Sequence, residues 1–330
     1  MNALVTGATG FLGSHLARAL AGRGHRVRAL VRSTSNLQRL DRHKIETVTG
    51  SLEDFESLRR AVRGQDIVFN NAGRVVEWGS RADFYRVNVD GTENLLNACL
   101  AAGIKRFVHT SSLTVLGIPL GTEPLSEVSP YTERHFEFYT ETKIVSEKLV
   151  LDFCAREHIP AVIIRPGVIW GPEDTTIFPR LEKLARKGLI FNIGSGDNIL
   201  CLSYISNVVD ALLLAAETPD TGVQIYNITD DEKVTSRTFF YELACALGYR
   251  PPTCSVPYRI LNAAARLCET YAKIFTPASP PFISRYGLAL MGCNGRYDIS
   301  KARTRLGYEP RVSFRQGVDN IARWYKKKAV

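Results

Sequence analysis

The feature that most constrains the fold is a glycine-rich turn between a short apolar strand and a helix. Residues 2–6 form an apolar run that predicts a buried strand of a parallel sheet. Gly7, Gly10 and Gly13 follow, and a helical pattern then continues to Leu20. This order predicts a dinucleotide-binding turn, where the backbone approaches a pyrophosphate at the helix N-terminus. The simpler alternative is a glycine-rich turn that binds no ligand. The spacing here is GxxGxxG, whereas the dinucleotide-binding fingerprint is GxGxxG.

The rest of the chain predicts an α/β fold of the Rossmann type. Further strands are expected at residues 25–32, 45–48, 66–70, 105–109 and 160–165, with helical segments between them. This alternation predicts a doubly wound parallel sheet. After Pro172 the alternation weakens, and we expect a smaller, mostly helical C-terminal substrate domain.

The domain boundaries follow from the same pattern. We assign residues 1–172 and about 203–228 to an NADP-binding Rossmann domain, because the helix at 206–217 and the strand at 224–227 are expected to return to it. Residues of about 173–202 and 229–330 are assigned to a substrate-binding region.

The end of the second strand predicts which nicotinamide cofactor is bound. A carboxylate at this position usually meets a free ribose 2′-hydroxyl. The segment 31–35 contains no carboxylate and places Arg32 there, where it can pair with a 2′-phosphate. We therefore predict NADP(H), with NAD(H) as the second choice, and the alternative that Arg32 only faces solvent stays open.

Tyr139 and Lys143 form a candidate proton-transfer pair. They are four residues apart, so a helix places both side chains on one face, one turn from each other. A phenol titrates near pH 10, and a nearby ammonium is expected to lower its pKa. Because this spacing also arises by chance on solvated helices, the pair predicts catalysis only in the context of the other motifs.

Polar residues follow two of the predicted strands. Asn71, Ala72 and Gly73 follow the fourth strand, and the run 110–112 follows the fifth. Open α/β sheets bind ligands at the carboxyl ends of their strands. Ser112 is therefore expected either to hydrogen-bond a substrate oxygen or to cap a turn.

Composition excludes several classes of function. The chain is 45% hydrophobic and 23% charged, which is typical of a globular protein, and its net charge of +9 is dispersed. No basic stretch is interleaved with aromatic residues, so we expect no nucleic-acid partner. Neither a signal peptide nor a membrane-spanning run is visible, and the seven cysteines show no metal-ligand spacing, so we expect a cytoplasmic protein with buried, reduced thiols and no metal.

Taken in chain order, these motifs resemble the extended short-chain dehydrogenase/reductase superfamily, which includes the NAD-dependent epimerases and dehydratases. The segments that carry the resemblance are 6–13, 71–73, 88–92, 110–112, Tyr139 with Lys143, and 165–167. The resemblance implies that Tyr139 is the general acid/base, that Lys143 lowers its pKa and binds the nicotinamide ribose, and that Ser112 orients the substrate oxygen.

The resemblance also implies a cofactor-binding set around the strand ends. Its members are Gly7, Thr9, Gly10, Phe11, Leu12, Gly13, Arg32, Ser51, Leu52, Asn71, Ala72, Gly73, Asn88, Thr110, Tyr139, Lys143, Pro166, Gly167 and Val168. Ser51 and Leu52 depart from the family, which usually has an Asp there in contact with adenine. Ser51 is also a candidate N-cap for the next helix.

The substrate class is suggested by Leu200. The sugar-nucleotide epimerases of the superfamily usually carry an Arg at this position, which meets the phosphates of the nucleotide. The segments 204–217 and 226–232 are more similar to the 3β-hydroxysteroid dehydrogenase and sterol-4α-carboxylate 3-dehydrogenase branch. Ser112, Thr114 and Leu200 are therefore the expected substrate residues.

Three functions remain as hypotheses. The first is an oxidoreductase that interconverts a hydroxyl and a ketone on a hydrophobic steroid, sterol carboxylate or long-chain β-hydroxy or β-keto acid. The second is a sugar-nucleotide epimerase or dehydratase. The third is an NADP-sensing binding protein, although such proteins typically lack the Tyr–Lys pair.

Two surfaces are left open by the sequence. The apolar helical segment 256–275 closes a substrate pocket, lies peripherally on a membrane, or simply packs on the core. The helices that carry residues 88–100 and 139–153 would allow a homodimer, as in many members of the superfamily, but equally burial within one chain.

Overall fold

The computed structural model describes residues 1–40, 44–76, 78–119, 123–133, 135, 137–219, 222–277 and 279–328. Its strands are β1 (Asn2–Thr6), β2 (Arg26–Val31), β3 (Glu46–Thr49), β4 (Ile67–Asn70), β5 (Arg106–Thr110), β6 (Ala161–Pro166), β7 (Val168–Trp170), β8 (Asn192–Ile193), β9 (Leu202–Tyr204), β10 (Val223–Ile228) and β11 (Ser255–Val256). Its helices are α1 (Phe11–Gly22), α2 (Phe55–Val62), α3 (Arg81–Tyr85), α4 (Gly91–Ala102), α5 (Phe138–Arg156), α6 (Ile177–Arg186), α7 (Ile205–Glu217), α8 (Ser236–Ala246), α9 (Tyr258–Phe275), α10 (Arg285–Gly292) and α11 (Phe314–Lys328).

Seven of the strands form one sheet in the order β10-β6-β5-β4-β1-β2-β3. All neighbouring strands in it are parallel, which confirms the predicted doubly wound sheet. The strand order reverses between β1 and β4, and a crevice at the carboxyl ends of these two strands is where such sheets bind ligands. The glycine turn after β1 and the segment 71–73 after β4 both lie at this point.

Apolar layers cover both faces of the sheet. Successive residues of a strand point to opposite faces, so Leu4 and Val5 of β1 enter different cores. Val5 packs with Leu16 of α1 and Leu212 of α7, whereas Leu4 packs with Leu95 of α4. Burial on both faces explains why these strands are almost continuously apolar in sequence.

The C-terminal half is mostly helical, as predicted, and adds two short parallel strand pairs, β7–β9 and β8–β11. Trp170 is fully buried at the centre of one cluster, with its ring 5.8 Å from that of Phe239 and 5.4 Å from that of Phe314. A smaller cluster joins Leu261 of α9 to Leu288 of α10. None of the helices in the described residues has the length and apolarity needed to span a bilayer.

Two local predictions are wrong. The N-cap of α2 is Asp54 and not Ser51, and its carboxylate accepts a hydrogen bond from the Ser57 amide at 3.2 Å. A carboxylate directly before the helix is favoured because it faces the positive end of the helix dipole. The expected burial of the thiols also fails for Cys245 and Cys254, which are exposed, since they lie on the outer surface of the helical half.

Candidate active site

Helix α5 places Tyr139 and Lys143 in the interior of the protein. It begins at Phe138, directly after Glu137, whose carboxylate caps it by accepting a hydrogen bond from the Thr140 amide at 3.0 Å. Tyr139 is 8% exposed and Lys143 is 5% exposed. The Lys143 Nζ lies 5.9 Å from the centre of the Tyr139 ring, so the two side chains share one face, as the spacing predicted.

Ser112 caps a turn, which is one of the two roles that the sequence left open, and it also contacts the Tyr139 phenol. It follows β5 and caps a short 3₁₀ turn (Leu113–Leu116), because its Oγ accepts hydrogen bonds from the Thr114 amide at 3.3 Å and the Thr114 hydroxyl at 3.0 Å. The same hydroxyl is hydrogen-bonded to the Tyr139 phenol. Ser112, after the end of β5, therefore places its hydroxyl oxygen beside the phenol oxygen of Tyr139.

Lys143 is held by the carbonyl at the end of β5. Its Nζ donates a hydrogen bond to the Thr110 carbonyl oxygen at 2.7 Å. Burial lowers the pKa of Lys143 to about 8, although the nearby Glu147 carboxylate acts in the opposite direction. The Thr110 hydroxyl in turn donates to Asn71 Oδ1 at 2.5 Å, which joins the ends of β5 and β4.

The Tyr139 pKa moves in the direction opposite to our expectation. Burial raises it above the ordinary value for a phenol, and the charge of Glu137 adds to the rise. The hydrogen bond with Ser112 lowers the pKa, but not enough to offset burial. Desolvation of the phenolate thus sets the direction of the pKa shift, and the phenol stays protonated at neutral pH.

A buried ionic network that the sequence did not predict contacts α5 through Glu147. Glu147 is fully buried and accepts hydrogen bonds from Arg165 Nε at 3.0 Å and from the Tyr131 hydroxyl at 2.9 Å. It also accepts one from the Ser111 hydroxyl. Glu147 is four residues beyond Lys143 and so continues the same row of side chains, which was the only available indication of this role.

Asn88 joins the loop after β4 to α5. It lies in a π-helical turn (Arg86–Asp90), a type of turn that is often found at functional sites. Its Oδ1 accepts a hydrogen bond from the Arg74 amide at 2.7 Å, and its Nδ2 donates to the Thr142 hydroxyl at 3.0 Å. These bonds place Asn88 between the segment after β4 and the helix that carries Lys143.

The glycine turn forms a cradle that larger residues would fill. Gly7 has a φ of +66°, and a Cβ on it would lie 2.9 Å from the backbone of Ala72. A Cβ on Gly13 would lie 2.2 Å from the Gly7 carbonyl oxygen, so neither position accepts another residue. The N-cap of α1 is Gly10, which supplies no side-chain cap to the first-turn amides.

The residues around this cradle fit a dinucleotide. Uncapped amides at the start of α1 are suited to a pyrophosphate, because they add to the positive end of the helix dipole. Across the crevice, Asn71 Nδ2 is buried and has no partner among the described residues, so it is available to a ligand. Thr9, Phe11 and Leu12 flank the turn and are half-buried.

Some of the predicted cofactor residues lie farther out or serve packing. Arg32 is exposed at the end of β2. Leu52 is buried in the core against Gly91, and Ser51 donates its amide to the Ser57 hydroxyl at 3.2 Å. Leu52 is therefore primarily a packing residue, which explains why an apolar side chain stands at this position.

The segment Pro166, Gly167 and Val168 leads from β6 into β7. The Gly167 amide donates to the Ser203 hydroxyl at 2.9 Å, and a Cβ on Gly167 would lie 2.6 Å from the Cys201 carbonyl oxygen. The chain therefore passes very closely against β9 here. This close approach fixes the position of these three predicted cofactor-binding residues.

Leu200 belongs to one apolar cluster, and Ser112 lies beside another. Leu200 is 2% exposed and packs in the cluster around Trp170. Ser112 and Thr114 flank Leu113, which packs in a separate cluster with Cys201. Within the described residues, the proposed substrate set is thus split between two neighbouring clusters.

The structure also adds residues that no sequence pattern indicated. Tyr286 of α10 places its ring edge-on to Tyr139, with the two ring centres 6.4 Å apart. Glu173, after β7, forms a bidentate ion pair with Arg18 of α1 at 3.0 and 3.1 Å, and its carbonyl accepts a hydrogen bond from Arg39. These contacts join the helical half to the cofactor cradle.

Comparisons with known proteins agree with this architecture. The NAD dependent epimerase/dehydratase family matches residues 3–229. A 4-hydroxy-2-methyl-3-oxo-4-farnesyl-3,4-dihydroquinoline-1-oxide ketoreductase of Stigmatella aurantiaca is 34% identical, over 97% of this chain and 96% of its own. A 2-alkyl-3-oxoalkanoate reductase of Stenotrophomonas maltophilia is 33% identical, over 97% and 98%. The decarboxylating sterol-4-alpha-carboxylate 3-dehydrogenase of Bos taurus is 33% identical, over 97% and 91%.

Among solved structures, MoeE5 in complex with UDP-glucose and NAD superposes with a TM-score of 0.77. It is 26% identical in sequence, and the match covers 100% of both chains. The whole chain, and not only its N-terminal half, therefore shares this architecture.

Proposed function

The chain belongs to the NAD dependent epimerase/dehydratase family, and we propose that it is an NADP(H)-dependent oxidoreductase that reduces a ketone on an apolar substrate. The expected resemblance to the sterol-4α-carboxylate 3-dehydrogenase and 3β-hydroxysteroid dehydrogenase branch is confirmed. An NAD(P)-dependent enzyme acting on CH–OH groups follows from these relatives. The observation that carries the proposed chemistry is the buried phenol of Tyr139, hydrogen-bonded to Ser112 above Lys143.

The chain's own residues would handle the proton and the substrate oxygen. A bound nicotinamide supplies or accepts the hydride. Ser112 offers its hydroxyl to the substrate oxygen, and Tyr139 donates its proton to that oxygen as the ketone is reduced. Lys143 holds a positive charge beneath the phenol, which stabilises the phenolate left after the transfer.

Two of the relatives are named as reductases, and the protonation state of Tyr139 is compatible with that direction. Burial raises the Tyr139 pKa, so the phenol enters the reaction at neutral pH with its proton in place. It is therefore a general acid in its resting state, as ketone reduction requires.

NADP(H) is the proposed cofactor because of the end of β2. Arg32 is exposed there, where a 2′-phosphate could reach it, and the segment 31–35 contains no carboxylate. We propose that the cofactor is bound by residues 1–172 with about 203–228, and the substrate by residues of about 173–202 and 229–330. The sheet strand β10, at Val223–Ile228, lies next to β6 and supports this division.

The proposed substrate is apolar, because Leu200 offers no charge to a nucleotide pyrophosphate. Its side chain packs among Trp170 and Phe239, where a charged group would lack a partner. Two of the relatives bear names that point to apolar ketones, a farnesylated quinoline oxide and an alkyl-oxoalkanoate. We therefore place the substrate among prenylated ring ketones, long-chain β-keto acids and 3-ketosteroids.

The experiment is an assay of NADPH and NADH oxidation against a panel of these ketones, with UDP-glucose as a separate arm. Turnover of an apolar ketone with NADPH preferred is the expected result. Interconversion of UDP-glucose without net absorbance change would contradict the substrate class and favour an epimerase. Tight binding of NADPH without turnover of any member would contradict the enzyme and favour a cofactor-sensing protein.

A further inference from the structure

Helix α9 leaves a row of large apolar side chains uncovered. Ile260, Leu267, Tyr271, Ile274 and Phe275 are each between 59% and 73% exposed. The first, second and fourth of these are seven residues apart, so the row extends along one face of the helix. We call this row the α9 face.

The opposite side of α9 is the one that packs on the protein. Leu261, Ala265 and Ala272 are buried there, and Glu269 forms an ion pair with Arg285 of α10 at 2.7 Å. The helix is thus anchored through a different set of residues from those of the α9 face. Anchoring therefore does not account for the exposed apolar row.

A row of cations borders the α9 face. Arg259, Arg266 and Lys273 are also seven residues apart, are exposed, and each directly precedes a member of the apolar row. Glu269 is the only acidic residue between residues 250 and 297, and it is buried in its ion pair. The exposed surface of α9 is therefore apolar and positively charged, without an exposed carboxylate.

The α9 face leads towards the candidate active site. Its last member, Phe275, precedes the connector to α10, and the Trp78 indole donates a hydrogen bond to the Pro277 carbonyl oxygen in that connector at 2.8 Å. Trp78 lies in the chain segment that follows the cofactor residues 71–73, where Val75 and Val76 are also exposed. The hydrogen bond therefore joins the end of the α9 face to the segment beside the site.

On the other side of the connector, α10 reaches the catalytic phenol. Its residue Tyr286 packs edge-on against Tyr139. Phe282, in the connector, is 48% exposed. An apolar molecule that leaves the α9 face at this end is therefore separated from Tyr139 by the connector and the first turn of α10.

We propose that the α9 face docks on the surface of a lipid bilayer that carries anionic headgroups. A helix with a large apolar face and a row of Lys and Arg lies in the interface with its apolar side chains among the acyl chains. The three cations face the phosphates, and the exposed aromatic pair Tyr271 and Phe275, with ring centres 4.9 Å apart, suits the headgroup level. An apolar substrate can then pass from the bilayer towards the site.

The test is vesicle flotation with the full-length chain. One set of vesicles contains phosphatidylcholine alone, and in the other a third of the lipid is phosphatidylglycerol. The wild-type chain is expected to float with the anionic vesicles and much less with the neutral ones. Replacing both Leu267 and Ile274 by Ser is expected to weaken partitioning at least about tenfold.

The controls separate the α9 face from general surface properties. Val128→Ser with Leu189→Ser removes two exposed apolar side chains elsewhere and is expected to leave flotation unchanged. Arg266→Gln with Lys273→Gln should weaken binding to the anionic vesicles, whereas Arg60→Gln with Lys187→Gln should not. Unchanged melting temperatures would show that each variant is folded.

Two results would overturn the proposal. One is equal flotation of the wild-type chain and the Leu267/Ile274 variant, or no flotation of either. The other is a dimer in sedimentation analysis that the same variant converts to a monomer, with no vesicle binding, because the occupant would then be a second copy. The flotation result does not depend on the proposed reaction, so the two proposals fail separately.

Discussion

Helices α5 and α9 have nearly the same length, 19 and 18 residues, but opposite relations between polarity and burial. In α5 the buried positions include a phenol, an ammonium and a carboxylate, at Tyr139, Lys143 and Glu147. In α9 the exposed positions include Leu267, Ile274 and other large apolar side chains. Each helix departs from the ordinary pattern of apolar interior and polar surface.

The two departures have different physical consequences. Burial of polar groups is costly unless each has a partner, and in α5 Ser112, Thr110 and Arg165 supply these partners. Large apolar side chains that remain in contact with water mark a contact surface when they form a contiguous patch. The first departure therefore locates chemistry, and the second locates an interface.

The largest expected effect is that of removing the α5 phenol oxygen. Tyr139→Phe should lower kcat for ketone reduction by about 10²- to 10⁴-fold, because the proton donor is lost. The fall in kcat would be measured from the absorbance of NADPH as the ketone is reduced. Tyr241→Phe, at an exposed position of α8, is the matched control and should keep the wild-type rate. Full activity of Tyr139→Phe would show that α5 does not carry the chemistry.

Breaking the buried ion pair of α5 should have the next largest effect. Arg165 and Glu147 are 2% and 0% exposed, so Glu147→Gln leaves a buried guanidinium without its counter-charge. The free energy of unfolding should fall by about 3–5 kcal/mol, as measured by urea denaturation. Glu56→Gln, in an exposed pair with Arg59, should have a far smaller effect. Equal effects of the two variants would contradict the buried network.

The cofactor end can be tested by Arg32→Gln. Loss of a charge-assisted hydrogen bond to a 2′-phosphate should lower kcat/KM for NADPH by about 10- to 100-fold and leave that for NADH unchanged. Arg26→Gln, at the other end of β2, is the control. If both cofactors are used equally before and after the change, Arg32 has no role in cofactor choice.

The pH dependence should reflect Lys143. Burial lowers its pKa to about 8, so the ammonium loses its proton as pH rises through that value. Reduction should therefore slow by about tenfold between pH 7 and pH 9, provided that the charge is required. The Tyr139 pKa is raised, so the phenol itself adds no loss in this range.

Stability provides an independent check of the same group. Because the pKa of Lys143 in the folded chain is below its ordinary value of 10.5, the unfolded chain binds more protons between about pH 8 and pH 10.5. This contribution to stability should therefore rise with pH over that window. A Lys143→Met variant that retains the full rise would contradict the assignment.

The smallest effect is expected on α9. Leu267→Ala removes an exposed side chain and should change the free energy of unfolding by no more than about 0.5 kcal/mol. Leu261→Ala, on the buried side of the same helix, should cost about 2–5 kcal/mol. Comparable losses from both would mean that a further part of the protein or a second copy covers the α9 face.

Much of the fold and part of the site could be predicted from local patterns. The glycine turn and the alternation of strands and helices indicated the sheet. Both signals come from residues that are close together in the sequence, so the sequence alone shows them. The Tyr139–Lys143 spacing correctly placed both side chains on one face, since the helix repeat alone determines this. The pKa direction of Tyr139 was wrong, because burial depends on residues that are distant in sequence.

The sequence by itself therefore determined the α/β class, the position of the crevice and the pairing of Tyr139 with Lys143. Only the tertiary structure decided that Tyr286 faces Tyr139, that Arg165 neutralises Glu147, and that one face of α9 stays uncovered. The physical reason is that periodicity shows that a helix has two different faces. Which face is covered depends on long-range packing, and no local pattern records it.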